Sequence, residues 1–191
     1  GSNPVREIPK FKVPAPTARG LDYKLIEKAL KLVTPKTRAR LTVMAYTGIR
    51  AGQLMKLQPT DWDVKRHLLT VPGTAKGRGT KPYTIPLSQK AENALRDLDD
   101  TDGWGRFAPG TMARFWKAAA VSVGLDPSVV PYDLRHSFGT ALYRATGDLK
   151  AVKDLMGHSA IRMTERYTLG AVDARRMAAM RATFPQKRRT G

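Results

Sequence analysis

Apolar residues recur at helical spacing near the start of the chain, at Leu21, Leu25, Ala29 and Leu32, and again beyond Pro35 at Leu41, Met44 and Ala45 up to Gly48. Two helices are predicted, the second closed by the glycine. After Gln58-Pro59 the period changes. His67 to Val71 is rich in strand formers, and Tyr83, Ile85 and Leu87 alternate with Thr84 and Pro86, which predicts a β-hairpin. Its connection, Pro72 to Pro82, holds three glycines with Lys76, Arg78 and Lys81, the composition of a positively charged tip able to reach a ligand. From Ser88 the chain reads as helical again. Met112, Phe115, Trp116, Ala119 and Val123 form one apolar stripe that ends at Gly124. Leu134, Phe138, Ala141, Leu142 and Ala145 form a second before Gly147, and Leu149, Val152, Leu155 and Met156 a third before Gly157. There is no internal repeat and no heptad array. The expectation is an α+β fold, mainly α-helical, with a small antiparallel hairpin.

Outside these stripes the composition changes. Residues 1–20 carry Pro4, Pro9, Pro14 and Pro16 among scattered basic residues, which favours extended backbone and reads as an interdomain linker. Gly1-Ser2 reads as a cleavage scar left by expression, so the natural protein is expected to begin upstream. The folded domain is expected over 21–183, with a basic tail over 184–191 that includes Lys187-Arg188-Arg189.

Against 34 Lys and Arg stand 16 Asp and Glu, a formal net charge of +18. A polyanionic partner follows, although charge alone does not separate DNA from RNA or a ribosome. The 41 % of hydrophobic residues suffices for an ordinary core in 191 residues. The absence of cysteine rules out disulfides and thiolate metal sites in this chain. No uncharged run approaches the roughly 18 residues of a membrane-spanning helix, and the expected location is a prokaryotic cytoplasm.

Three clusters could carry chemistry: Thr47-Gly48-Ile49-Arg50, Tyr132-Asp133-Leu134-Arg135-His136, and Leu155-Met156-Gly157-His158 with Arg166-Tyr167. Each has an ordinary structural explanation. Arg50, after a helix-ending glycine, would be a solvated or capping arginine. Tyr132 and Arg135, three apart on a helix, would place the ring on the core and the guanidinium in water. His158 would be a capping histidine and Tyr167 a packed aromatic.

In their order and spacing, however, these segments resemble the three signature boxes of the tyrosine recombinase (phage integrase) family, over Thr47 to Leu57, Tyr132 to Tyr143 and Leu155 to Tyr167. The resemblance runs from about Leu21 to the C-terminal helix. It implies the catalytic core fold of that family, with a hairpin or three-stranded antiparallel sheet. It also implies roles: Arg50 and Arg135 as the two arginines, Lys76 as the hairpin lysine with Lys81 its rival, His158 as the late histidine and Tyr167 as the nucleophile. Two positions depart from the family pattern. Tyr132 stands where a histidine is usual, and it can donate a hydrogen bond but carries no positive charge. Gln53 stands where an acidic residue is usual after the first arginine, so support for Arg50 must come from neutral hydrogen bonding.

The chemistry asks for such groups. Attack on a phosphodiester builds negative charge on the non-bridging oxygens, which fixed cations can hold. Arginine stays protonated and presents a planar fork, and His158 can add a donor. Tyr167, with an ordinary pKa near about 10, needs nearby cations to become a nucleophile, and Lys76 is suited to protonate the departing sugar oxygen. No metal, nucleotide or other cofactor is called for. The resemblance implies a site-specific recombinase acting on double-stranded DNA through a 3′-phosphotyrosine, monomeric when free and tetrameric with other protomers on DNA. Two alternatives remain open: a type IB topoisomerase-like nicking and resealing enzyme, and a DNA-binding module with impaired catalysis. RNA binding gives no reason for these residues to converge, and His67, His136 and His158 lack metal-ligand spacing.

Overall fold

In a computed structural model of the chain, residues 20–74, 81–157 and 178–184 are described. Helices α1 (Tyr23–Leu30), α2 (Pro35–Thr47) and the short α3 (Ala51–Leu54) lead through a 3-10 turn at Pro59–Asp61 into three strands. These are β1 (Trp62–Asp63), β2 (Leu68–Val71) and β3 (Tyr83–Pro86). Helices α4 (Gln89–Asp100), α5 (Pro109–Ser122), α6 (Tyr132–Thr146) and α7 (Leu149–Leu155) follow. A further helical segment covers 178–183.

The sheet has the order β1-β2-β3 and is antiparallel throughout, with Leu69 opposite Trp62 on one side and opposite Ile85 on the other. The hairpin expected from the alternation is present. The third strand is only two residues long, too short to register as a period, and was implied by the resemblance alone. His67 is not in the strand. It sits in the turn ahead of β2 with φ of 58°, and its ring nitrogen Nδ1 lies 2.6 Å from the buried carboxylate of Glu92 on α4.

Helix boundaries follow local chemistry. Asp22 caps α1 by accepting from the Lys24 amide at 2.8 Å, Ser88 caps α4 through the Ala91 amide at 3.3 Å, and Asp148 caps α7 through Lys150 and Ala151. Pro35 and Pro109 open α2 and α5 at positions where no amide is needed. Gly48 and Gly147 end α2 and α6 in the left-handed conformation.

One core serves all the elements. Helix α2 packs on α4 and α6, and α1 on α5. The apolar stripes need three corrections of phase. On α1 the buried residues are Ile26, Ala29 and Leu30, with Val33 beyond the helix, while Leu32 is 60 % exposed. Leu32 falls after the last turn, where the helical period no longer sets direction. On α5 the buried line is Met112, Trp116, Ala119 and Ala120, and Phe115 stands beside it, largely exposed. On α6, Ala145 lies on the solvent side of the last turn.

Among the described residues no helix is long and apolar enough to cross a membrane. Apart from Gly20 the expected linker, and apart from Phe184 the expected tail, lie outside the described residues.

Candidate active site

The first signature segment turns a corner. Gly48 has φ of 68°, and a side chain there would overlap the ring of Phe138 on α6, so only glycine allows α2 to stop this close to α6. Ile49 is fully buried, which anchors the corner and leaves Arg50 as the residue leading into α3. The backbone N–H of Arg50 donates to Gln53 Oε1 at 3.0 Å. Gln53 is itself completely buried, and its Nε2 donates to the carbonyl of Pro72, at the end of β2, at 3.2 Å. The neutral glutamine therefore holds the backbone of Arg50 and pins α3 to the hairpin. Among the described residues it forms no ion pair.

The second segment supplies the centre of the site. Arg135 on α6 is 1 % exposed. Its Nη1 donates to the carbonyl of Gly48, and its Nη2 donates to the carbonyl of Met156 at 2.6 Å. One guanidinium thus ties the first signature segment to the third. This inverts the ordinary expectation for the Tyr132 and Arg135 pair. The guanidinium is inside, whereas Tyr132 is 46 % exposed, with its ring edge-on to His136 at 4.8 Å between centroids. Helix spacing put both on one face, but two inward-facing carbonyls of neighbouring segments determine which of them is buried.

The electrostatics of the pocket are unbalanced. Burial, and after it the neighbouring charge of Arg50, lower the pKa of Arg135 from its ordinary value, and Tyr83 and Tyr132 act in the opposite direction. Among the described residues no carboxylate pairs with either arginine. Arg50 Nη1 and Arg135 Nε are buried without a hydrogen-bond partner. A desolvated cation beside a half-buried one, each with an orphaned donor and no carboxylate among the described residues, is costly. An anion with several oxygens would satisfy both, and a phosphate fits the planar forks. The described residues include no group of three His, Asp or Glu side chains placed to hold a metal ion.

Tyr83 also belongs to this pocket, and the sequence marked it only as a strand residue. It opens β3, its hydroxyl faces Met156, and its ring packs where any side chain on Gly157 would stand. Burial raises its pKa, while Arg135, Gln53 and Arg50 oppose the rise. No local signal distinguished it, because strand alternation assigns a face and not a neighbour.

Of the residues singled out from sequence, Arg50, Tyr132 and Arg135 are described and sit on α3's lead-in and the first turn of α6. Lys76, His158 and Tyr167 lie outside the described residues. Lys81, the rival lysine, precedes β3 and is exposed.

A mainly helical domain with a three-stranded antiparallel sheet and this arginine pocket has the fold of integrase and recombinase catalytic domains. The integrase from mycobacterium phage Brujita superimposes with a TM-score of 0.70 over 100 % of this chain and 66 % of its own, at 24 % identity. A XerA recombinase does so with a TM-score of 0.62 over 89 % of this chain and 61 % of its own, at 20 % identity. Residues 21–172 match the phage integrase family, and the chain belongs to that family. Among curated relatives it is similar to tyrosine recombinase XerD of Brucella suis biovar 1, 33 % identical over 159 residues, covering 74 % of this chain and 48 % of that protein. It is also similar to tyrosine recombinase XerC of Syntrophus aciditrophicus, 28 % identical over 174 residues, 80 % of this chain and 54 % of that protein. The chain spans about half the length of these two relatives.

Proposed function

We propose that this chain is the catalytic domain of a site-specific DNA recombinase that cuts and rejoins strands through Tyr167. The single observation that carries the reading is the pair of carboxylate-free guanidinium groups of buried Arg135 and half-buried Arg50, each with a buried, unpartnered donor, set in a chain of the phage integrase family. In the reaction the Tyr167 hydroxyl loses its proton and attacks the phosphorus. The bond to the 5′ oxygen breaks, and Lys76 protonates that oxygen. The product is a 3′-phosphotyrosine and a free 5′ hydroxyl. Arg50, Arg135 and His158 hold the non-bridging oxygens while negative charge builds there. Tyr132 adds a hydroxyl donor at the pocket's rim. Because the covalent ester retains the bond's energy, a hydroxyl from another strand can reverse the step without ATP.

Double-stranded DNA is the partner, held through phosphates by a chain of net charge +18. Structures similar to this one include the Tn1549 transposon integrase in complex with circular intermediate DNA, which supports that choice. The protein works in the cytoplasm, as a monomer when free and as a tetramer on two DNA sites. The Pro-rich, basic composition of residues 1–20 supports their reading as an interdomain linker, and Lys187-Arg188-Arg189 supports that of 184–191 as a basic tail.

The test is covalent trapping. A library of nicked duplexes of randomised sequence lets the short cleaved strand diffuse away, so adducts accumulate. The chain should retain labelled DNA through denaturing electrophoresis, and Tyr167→Phe should not. Binding without any adduct, at any site, would leave a DNA-binding module in its place. Relaxation of plasmid at many unrelated sequences would point instead to a topoisomerase-like enzyme.

A further inference from the structure

The base of the hairpin is fastened to the arginine pocket on both of its strands. On the β2 side, Gln53 Nε2 donates to the Pro72 carbonyl at 3.2 Å and Lys56 Nζ to the Gly73 carbonyl at 3.2 Å. On the β3 side the fastening is Tyr83, paired with Val71 in the sheet. Its hydroxyl lies 3.5 Å from the carbonyl of Met156, the same oxygen that accepts the 2.6 Å bond from Arg135 Nη2. Its ring fills the space that Gly157, at φ of 60°, leaves open by having no side chain. Strand β3, helix α6 and the end of α7 therefore meet at one hydroxyl and one carbonyl.

We propose that Tyr83 is a positioning residue of the phosphate site: its hydroxyl shares the Met156 carbonyl with Arg135, fixes the orientation of that guanidinium, and makes the hairpin base and the arginine pair move as one body. The proposal rests on the reading of Arg50 and Arg135 as phosphate ligands. Its physical basis is geometric. A guanidinium at the edge of a helix keeps rotational freedom unless several acceptors surround its plane. Arg135 has carbonyls on two of its nitrogens, from Gly48 and Met156, and the Tyr83 hydroxyl provides a third oxygen that it can address. The hydroxyl stays neutral at working pH, since burial disfavours the phenolate, so it can donate to the carbonyl while accepting from the guanidinium. Phenylalanine in its place would keep the packing on Gly157 and lose both connections.

The experiment uses the whole chain and reads two signals. The first needs no DNA: hydrogen exchange and rotation at the Arg135 guanidinium, followed by NMR in chain labelled at arginine. Tyr83→Phe should accelerate both by about tenfold, the loss expected for one hydrogen bond to a charged group. The second is the single-turnover rate of covalent adduct formation on whichever nicked duplexes the wild type cleaves. It should fall by about tenfold, with DNA affinity unchanged, since phosphate grip survives but its geometry does not. Wild-type behaviour of Arg135 in Tyr83→Phe overturns the proposal, because it shows that the ring only packs. If the wild type forms no adduct, the recombinase reading fails, and the NMR signals still decide the role of Tyr83.

Discussion

Helix α6 borders two polar sites, and they are built on opposite terms. On its aromatic side Phe138 stacks on Phe184 at 6.0 Å, and Tyr23 and Tyr46 close the cluster edge-on. There each hydroxyl is answered. Tyr23 donates to the Ala45 carbonyl at 2.7 Å and Tyr46 to Glu27 at 2.5 Å, and Lys90 pairs with the same carboxylate. On the other side buried Arg135 and half-buried Arg50 each keep a buried donor without a partner, with no carboxylate among the described residues to balance them. The first arrangement is complete as it stands, so it stabilises the fold. The second is short of one multidentate anion, and that shortfall is what marks it as a ligand site.

Four perturbations would sharpen or break that contrast. The largest effect should come from Arg135→Lys, which keeps the charge but cannot span the Gly48 and Met156 carbonyls with one planar fork. Adduct formation should drop by ~10²–10³, measured as a single-turnover rate on trapped duplexes. An unchanged rate would mean the orphaned donors have no catalytic meaning. Phe138→Ala comes next and tests the complete side. It should cost ~3–5 kcal/mol of stability by urea unfolding, while molecules that remain folded lose less cleavage than Arg135→Lys does.

Gln53→Ala removes the acceptor for the Arg50 amide and the donor for the Pro72 carbonyl. A loss of about 1–3 kcal/mol in stability is expected from the groups left unsatisfied, with a fall in cleavage because Arg50 loses its fixed backbone. Equal stability with normal cleavage would show that the glutamine is dispensable there. The smallest effect concerns pH. Burial raises the pKa of Tyr23 and Tyr46 above the ordinary value. The unfolded chain therefore releases these protons first. Stability from this source is fully present below about pH 10, the free tyrosine value, and drains as pH rises beyond it. Urea midpoints between pH 8 and pH 11 should fall for the wild type, and the slope should be shallower in Tyr23→Phe. A slope identical in both would place the alkaline loss elsewhere.

Particular residues show what could be read from the chain alone. The corner at Gly48 followed by Arg50 was legible, because a helix-ending glycine has a local physical cause and the first-box resemblance depends on adjacent letters. The hairpin was legible from alternation, and α2 and α7 from their periods and the glycines that follow them. The assignment of inside and outside to Tyr132 and Arg135 was not. Composition favours the ring inside, and the opposite outcome depends on the carbonyls of Gly48 and Met156, which are 87 and 21 positions away from Arg135. Tyr83 escaped for the same reason. Leu32 and Phe115 were read as core because they satisfy a period, yet Leu32 falls beyond the end of α1 and Phe115 stands beside the buried line of α5, and both are exposed.

The amino-acid order by itself determined what depends on near neighbours: where helices begin and end, where the period turns from 3.6 to 2, the cationic character of the surface, and the family to which the three signature segments point. Only the tertiary structure decided which cations are stripped of water, which carbonyl each guanidinium meets, and that a strand tyrosine stands among them. Those outcomes arise where separate elements converge, and burial without a partner is a property of that convergence, not of any stretch of chain.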